Sequence, residues 1–282
     1  MAELTTTDHR RDRVGLTYVY PVVSRRAGGL SIGVNLNPNQ ACNWRCIYCQ
    51  VPGLVRGAAP PIDVARLEAE LRGFLADVLT GDYLATKVPV EVRRLNDIAL
   101  SGDGEPTGAR EFEQVVAAIA RVRRDLAVAP SVKTVLITNG SLVQRAEVQA
   151  GLSALAAISG EVWFKVDRAT EAGIRAVNDV PLAPDVVRRN LVTAALLCPT
   201  WVQTCVFTLD GAPPADEEVE AYTALLRSAR AAGAPLRGVF LYGVARPSMQ
   251  PEAPRLANVS EAWMRALTER IESLGLTVRV TP

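Results

Sequence analysis

Short β-branched and aliphatic runs alternate along the chain with longer stretches in which apolar residues recur every three or four positions. The pattern predicts extended segments at 30–36, 95–101, 132–138, 162–166, 201–208 and 236–243, with helices at 62–79, 110–126, 143–158, 184–197 and 216–232. A Pro-rich stretch at 247–254 precedes a last helix at 260–274 and a short strand at 276–280. Six strand-helix units in this order require parallel strands joined by right-handed crossovers. The fold class is therefore α/β, either an open doubly wound sheet or an incomplete barrel. No composition break marks a second domain, so the expected organisation is a leader at 1–29, a core at 30–250 and a C-terminal helix-strand cap at 251–282.

Polar residues gather where the predicted strands end. The run CNWRCIYCQ follows the first strand, Ser101-Gly102-Asp103-Gly104-Glu105-Pro106 the second, and Thr138-Asn139-Gly140-Ser141 the third. The fourth ends in Lys165 and Asp167, and the sixth in Tyr242 with Arg246 just beyond. C-terminal strand ends are where parallel α/β sheets and barrels build their sites. Lys165 and Asp167 share strand parity, so both are expected to face the same way.

Composition narrows the setting. Hydrophobic residues make up 49% of the 282 and charged residues 22%, close to the soluble average. With a net charge of +1 there is no bulk attraction toward nucleic acid or an anionic membrane. The basic pairs Arg10-Arg11 and Arg25-Arg26 and the run 121–124 are scattered. The polar opening lacks a signal-peptide core, and no run of about 20 apolar residues occurs. A cytoplasmic protein without membrane association is expected. The single histidine, His9, lies in the polar leader, so the chemistry does not rest on an imidazole base.

Of five cysteines, Cys42, Cys46 and Cys49 crowd into one loop, which does not suit a disulfide framework. Three thiolates can hold an iron-sulfur cubane, whose usual complement is four cysteines, and leave one iron open to a small molecule. A zinc site would need a fourth ligand from a distant Cys198, Cys205 or His9. A redox pair Cys46-x-x-Cys49 would leave Cys42 unexplained and set Arg45 beside the first thiol. Cys198 and Cys205 are expected to be buried apolar cysteines.

Cys42-x3-Cys46-x2-Cys49 directly after a first strand, with Gly104-Glu105-Pro106 after the next, resembles the radical S-adenosylmethionine (SAM) superfamily. The resemblance implies a partial (β/α)6 TIM-like barrel whose open iron is chelated by the amino and carboxylate groups of SAM. One electron from the 4Fe-4S cluster then cleaves the sulfonium to methionine and a 5′-deoxyadenosyl radical, which abstracts hydrogen from a substrate. It implies Glu105, beside Gly104, as the acid that meets the SAM ammonium, Tyr48 as the aromatic residue near the adenine, Asn139 as a polar partner of SAM, and Lys165 and Asp167 as cofactor or substrate contacts. The family's Gly-Gly-Glu reads Gly102-Asp103-Gly104-Glu105 here, one glycine of the pair being displaced by an aspartate.

Ser24-Arg25-Arg26, the runs 101–107 and 138–142, and Val244-Ala245-Arg246-Pro247 resemble one branch, the iron-sulfur oxidoreductases related to wybutosine-synthesis proteins, over about residues 17–250. No cysteine precedes Cys42 to hold a second cluster, which with the near-neutral charge argues against tRNA guanosine modification. The implied partners are a low-potential electron donor, flavodoxin or ferredoxin, and a substrate, anionic if Arg25, Arg26 and Arg246 anchor it. Cys205 or Tyr242 is a candidate for returning a hydrogen atom to a product radical. A non-catalytic electron-transfer or redox-sensing protein and a zinc-stabilised binding module are the other classes open.

Overall fold

The computed structural model describes residues 4–5, 14–24 and 28–281. His9, Arg10, Arg11, Arg25 and Arg26 lie outside them. Eight strands form one sheet in chain order, β1 (Val19–Ser24), β2 (Gly29–Val34), β3 (Leu95–Leu100), β4 (Lys133–Thr138), β5 (Gly160–Lys165), β6 (Thr200–Cys205), β7 (Leu236–Tyr242) and β8 (Val278–Thr281). β1 runs antiparallel to β2 and every later neighbour is parallel. A doubly wound sheet reverses its strand order at a switch point. This order never reverses, so each crossover advances one strand in the same direction and the sheet curls into a half-barrel.

Seven longer helices accompany it, α1 (Val64–Thr80), α2 (Phe112–Asp125), α3 (Ala146–Ala156), α4 (Glu171–Asn178), α5 (Pro184–Leu197), α6 (Asp216–Ala231) and α7 (Glu261–Glu272). In α1 the Asp63 carboxylate accepts from the Arg66 N–H at 3.0 Å, and Leu67, Leu71, Leu75 and Val78 form the buried stripe. Ile32, Leu100, Leu136 and Phe164 of the sheet share one core with Leu71, Val115, Leu152 and Leu191 of the helices. The opposite face of the same strands carries a separate aromatic cluster of Trp163, Trp201 and Phe240 with Ala99 and Val135. Period-two alternation therefore sends one set of residues to the helices and the other into the lumen.

Four elements differ from the sequence reading. The stretch before residue 30 supplies β1, held by Glu70 of α1, whose carboxylate accepts from the Thr17 and Tyr18 N–H groups at 3.1 and 2.8 Å. The last strand, expected as part of a cap, extends the sheet beside β7. α4 was not predicted, because eight residues are too few for periodicity to distinguish from a loop. The predicted strand at 201–208 stops at Cys205, and Thr208–Leu209 pairs instead with Leu256–Ala257. Among the described residues no helix is long and apolar enough to cross a membrane.

Tyr20 lies opposite Gly33 and its ring covers that glycine, so a Cβ at Gly33 would stand 2.1 Å from Tyr20 Cζ. The hydroxyl thereby reaches the end of β3 and shares a 3.0 Å hydrogen bond with Ser101 Oγ. Gly33→Ala is expected to lower unfolding free energy in chemical denaturation by about 1–3 kcal/mol through overpacking. Gly73→Ala, in the interior of α1 with nothing within 4 Å of the added carbon, is expected to raise it by about 0.5–1 kcal/mol.

Candidate active site

At the C-terminal strand ends the inner face of the sheet opens into a cavity of about 310 Å³. Cys42, Cys46, Cys49, Tyr48, Gly104, Glu105, Asn139, Lys165, Cys205, Tyr242 and Arg246 all line it. Residues from five strand ends thus converge with the cysteine loop. Asp167 does not line this cavity.

The cysteine loop has almost no regular structure of its own, only the two-residue pairing of Ala41–Cys42 with Val55–Arg56 at its base. Its polar groups are met from outside. The last carbonyls of α4 accept from the loop, Asn178 O from Arg45 N at 3.2 Å and Val177 O from Ile47 N at 2.9 Å, and the Asn178 amide donates to Cys46 Sγ at 3.3 Å. On the other side the Ser248 hydroxyl donates to Ile47 O at 2.7 Å, Met249 N to Cys49 O at 2.8 Å, and the Gln250 amide to Val51 O at 3.2 Å. Arg45 closes the two sides together, with a bidentate pair to Glu252 at 2.8 and 3.0 Å and a bond to Asp179 at 3.0 Å. These bonds hold the Arg45 pKa above its ordinary value and those of Glu252 and Asp179 below theirs. Arg45 is thus a clamp for the loop.

The turn after β3 fits against the approach to that loop. A Cβ at Gly104 would stand 2.1 Å from Ala41 O, and one at Gly102 2.3 Å from Asn35 Oδ1. Both glycines are needed for close contact, while Asp103 between them is tied to Asn35. The Asn35 amide donates to Asp103 Oδ2 at 2.7 Å and Asn35 Oδ1 accepts from Asp103 N at 3.1 Å. The displaced glycine of the motif is therefore replaced by an aspartate with a local partner.

Glu105 is buried, and burial is the main reason its pKa is raised, against the pull of its hydrogen bonds. Oε1 accepts from the Thr107 N–H and hydroxyl and from the Thr138 hydroxyl, whereas Oε2 accepts from Asn139 N at 2.7 Å. A carboxylate oxygen offers two lone pairs. The side chain is fixed through Oε1 and Asn139, and Oε2 keeps capacity for one more donor. The Asn139 side chain spans to the cysteine loop, donating to Asn43 Oδ1 at 2.9 Å while its own oxygen accepts from the Ser141 N–H and hydroxyl.

Tyr48 turns its ring into the cavity and anchors its hydroxyl on Asp167 Oδ2 at 2.5 Å. Asp167 also accepts from the Asn178 amide at 2.9 Å and from Cys205 N at 3.0 Å. The expectation that Lys165 and Asp167 face the same space is corrected here: β5 ends at Lys165, so alternation does not extend to residue 167. Asp167 sits behind Tyr48 as its support. The Lys165 ammonium lies 4.8 Å from the centre of the Tyr48 ring. Burial works against its charge, yet Tyr242, Cys46 and Asp167 around it keep its pKa above the ordinary lysine value. Cys205 and Tyr242 are register partners across β6 and β7, which sets the two candidate hydrogen donors side by side.

The chemistry of the donor set limits what could bind. All five cysteines are free thiols. Burial pushes the Cys42 thiol up to about 11 and the Cys46 thiol up to about 12, so both are protonated at neutral pH until a cationic centre displaces the proton. Among the described residues no three thiol, carboxylate or imidazole groups form a site for a single metal ion. The three loop thiols line one cavity, three of the four ligands that a cubane usually takes. Asn35, Asn43, Asn178 and Ser248 were not singled out from sequence. The dense asparagines Asn35, Asn37 and Asn39 after the first strand are a usable signal, but nothing local marks Asn178 or Ser248.

No protein-family model matches the chain. It is 29% identical over 157 residues to a UPF0026 protein of Helicobacter pylori, covering 52% of this chain and 45% of that protein. It is 26% identical over 135 residues to a protein named GTPase Obg from Brachyspira hyodysenteriae, covering 47% and 17%. The chain spans less than half the length of these curated relatives. Among solved structures it resembles Streptococcus suis SuiB bound to S-adenosylmethionine, with a TM-score of 0.53, 11% identity and coverage of 88% of this chain and 45% of that one. A radical SAM methyltransferase from Sphaerobacter thermophilus gives a TM-score of 0.52, 13% identity and coverage of 90% and 66%. At such identities the likeness is one of fold, and the fold is one that a radical SAM enzyme uses.

Proposed function

We propose that the protein is a radical SAM enzyme, holding a 4Fe-4S cluster on Cys42, Cys46 and Cys49 with S-adenosylmethionine beside it. The observation that carries this reading is the convergence of the three loop thiols and the Glu105 carboxylate on one cavity at the C-terminal strand ends. Bound there, the cluster would supply the electron that breaks a carbon–sulfur bond of the sulfonium, leaving methionine and a 5′-deoxyadenosyl radical for hydrogen abstraction. The Oε2 atom of Glu105 is available to accept from an ammonium. The Tyr48 ring offers a flat face to a base, held still by Asp167. Lys165 offsets the negative charge that three thiolates bring into a buried space. Arg246, on the rim, suits an anionic substrate. A low-potential flavodoxin or ferredoxin would be the electron source.

An electron-transfer protein or a zinc module needs neither the Glu105 loop nor the Tyr48–Asp167 support. The name of the Brachyspira relative brings no nucleotide hydrolysis to this chain, which contains no Gly-Lys pair and hence no G-x4-G-K-[ST] phosphate loop.

Anaerobic reconstitution should load about four iron and four sulfide per chain. Cys42→Ala, Cys46→Ala and Cys49→Ala should each lose the cluster, while Cys198→Ser and Cys205→Ser keep it. With dithionite and SAM the loaded protein should release 5′-deoxyadenosine. Preferential uptake of zinc, or a cluster whose spectrum ignores added SAM, would overturn the reading.

Cys205 and Tyr242 carry exchangeable hydrogens on the cavity wall. In D2O, 5′-deoxyadenosine formed without substrate should therefore acquire deuterium, and its content should drop in Cys205→Ser and Tyr242→Phe, as read by mass spectrometry. Equal deuterium in all three proteins removes these residues as donors to the deoxyadenosyl radical.

A further inference from the structure

Below the rim, the lumen has a wall that nothing in the proposed chemistry uses. Val135, Ile137 and Trp163 line the cavity from β4 and β5. The Trp163 indole N–H is already taken by Glu161 Oε1 at 2.8 Å, and its ring packs on Phe240 with centroids 4.8 Å apart. It therefore offers the lumen only apolar surface, in a fixed orientation.

Gln203 of β6 stands beside this wall, in register with Lys165 on one side and Phe240 on the other. It is 2% exposed and lines the cavity, yet its Oε1 has no hydrogen-bond partner among the described residues. A buried acceptor without a donor is costly, and such groups in folded proteins are nearly always satisfied. Ser31 and Asp97, which also line the cavity, are bonded to each other. A carboxylate ligand supplies no donor to Oε1. The complement of a primary amide is another amide edge, with N–H beside C=O.

We propose that this wall is a substrate subsite for a flat ring bearing a lactam or carboxamide edge, with the ring against Val135, Ile137 and Trp163 and the edge paired to Gln203. This rests on the reading of the cavity as catalytic, and it names the class of molecule that would receive the radical. Gln203 is a specificity-determining residue in this assignment.

The probe is 2-pyridone, a planar ring with adjacent N–H and C=O, compared with N-methyl-2-pyridone, which keeps the ring and loses the donor. Titrated into the cluster-loaded protein held anaerobically, with and without SAM, 2-pyridone should shift one glutamine side-chain amide and the Trp163 indole resonance in NMR spectra. N-methylation should weaken binding roughly tenfold or more, the loss expected when a buried acceptor is left unpaired. In Gln203→Met the two probes should bind alike. No shift with 2-pyridone, or equal binding of both probes to the unaltered protein, overturns the subsite, and the second comparison needs no variant to fold. Binding that discriminates the probes in a protein that forms no 5′-deoxyadenosine would uphold the subsite and sink the radical reading instead.

Discussion

A loop that is buried without helix or strand must have its peptide groups satisfied by something else, or it does not stay buried. The cysteine loop meets that condition from three directions. The end of α4 accepts two of its N–H groups, Ser248 to Gln250 serve its carbonyls, and Asn139 and Ser141 engage Asn43. The bonds come from chain segments 96 or more residues away, so the thiols are positioned by the completed fold and not by local sequence. Arg45 couples two of the three supports by holding Asp179, just past α4, and Glu252, just past the Ser248 segment. Loosening either support leaves the same guanidinium half-paired, which makes the loop's geometry a cooperative property.

The same logic governs charge. Desolvation keeps Cys42 and Cys46 neutral, so the cavity as folded does not carry the repulsion of three thiolates. Lys165 is the positive group facing them and is steadied by the Tyr48 ring. Cation arrival and thiol deprotonation then compensate one another. Glu105 is stabilised differently, by four protein donors, which lets it remain in place whether or not an ammonium occupies the remaining lone pair of Oε2.

Much of this was legible in the chain. The six inner strands announce themselves because each is an aliphatic run bounded by polar residues, and the cysteine spacing and the Gly104-Glu105-Pro106 turn locate one end of the sheet. β1 escaped because Pro21 interrupts its aliphatic pattern, a residue that edge strands tolerate and central ones do not. The orientation of Asp167 escaped because alternation holds only while the strand does, and β5 stops two residues earlier. The clasp from Ser248 and the amide of Asn178 have no local signature, since each acts on a partner 132 or more positions away. Cys205 was read both as a buried apolar cysteine and as a candidate hydrogen donor. It is 1% exposed, yet it still opens on the cavity, because the wall of a half-barrel is both core and site.

That double character sets a scale for the chemistry. Along a strand, residues facing the lumen are two apart, about 6.6 Å. Gln203 therefore lies one layer below Cys205 and level with its register partner Lys165, and Trp163 lies one layer below both, which puts the apolar wall beneath Gln203. A ring laid on Ile137 and Trp163 and paired to Gln203 by its edge would have that edge at the level of Lys165, nearest the rim. The strands that carry the wall are also strands whose ends carry Asn139 and Lys165, so the distance between wall and rim is fixed by the pleat of the sheet.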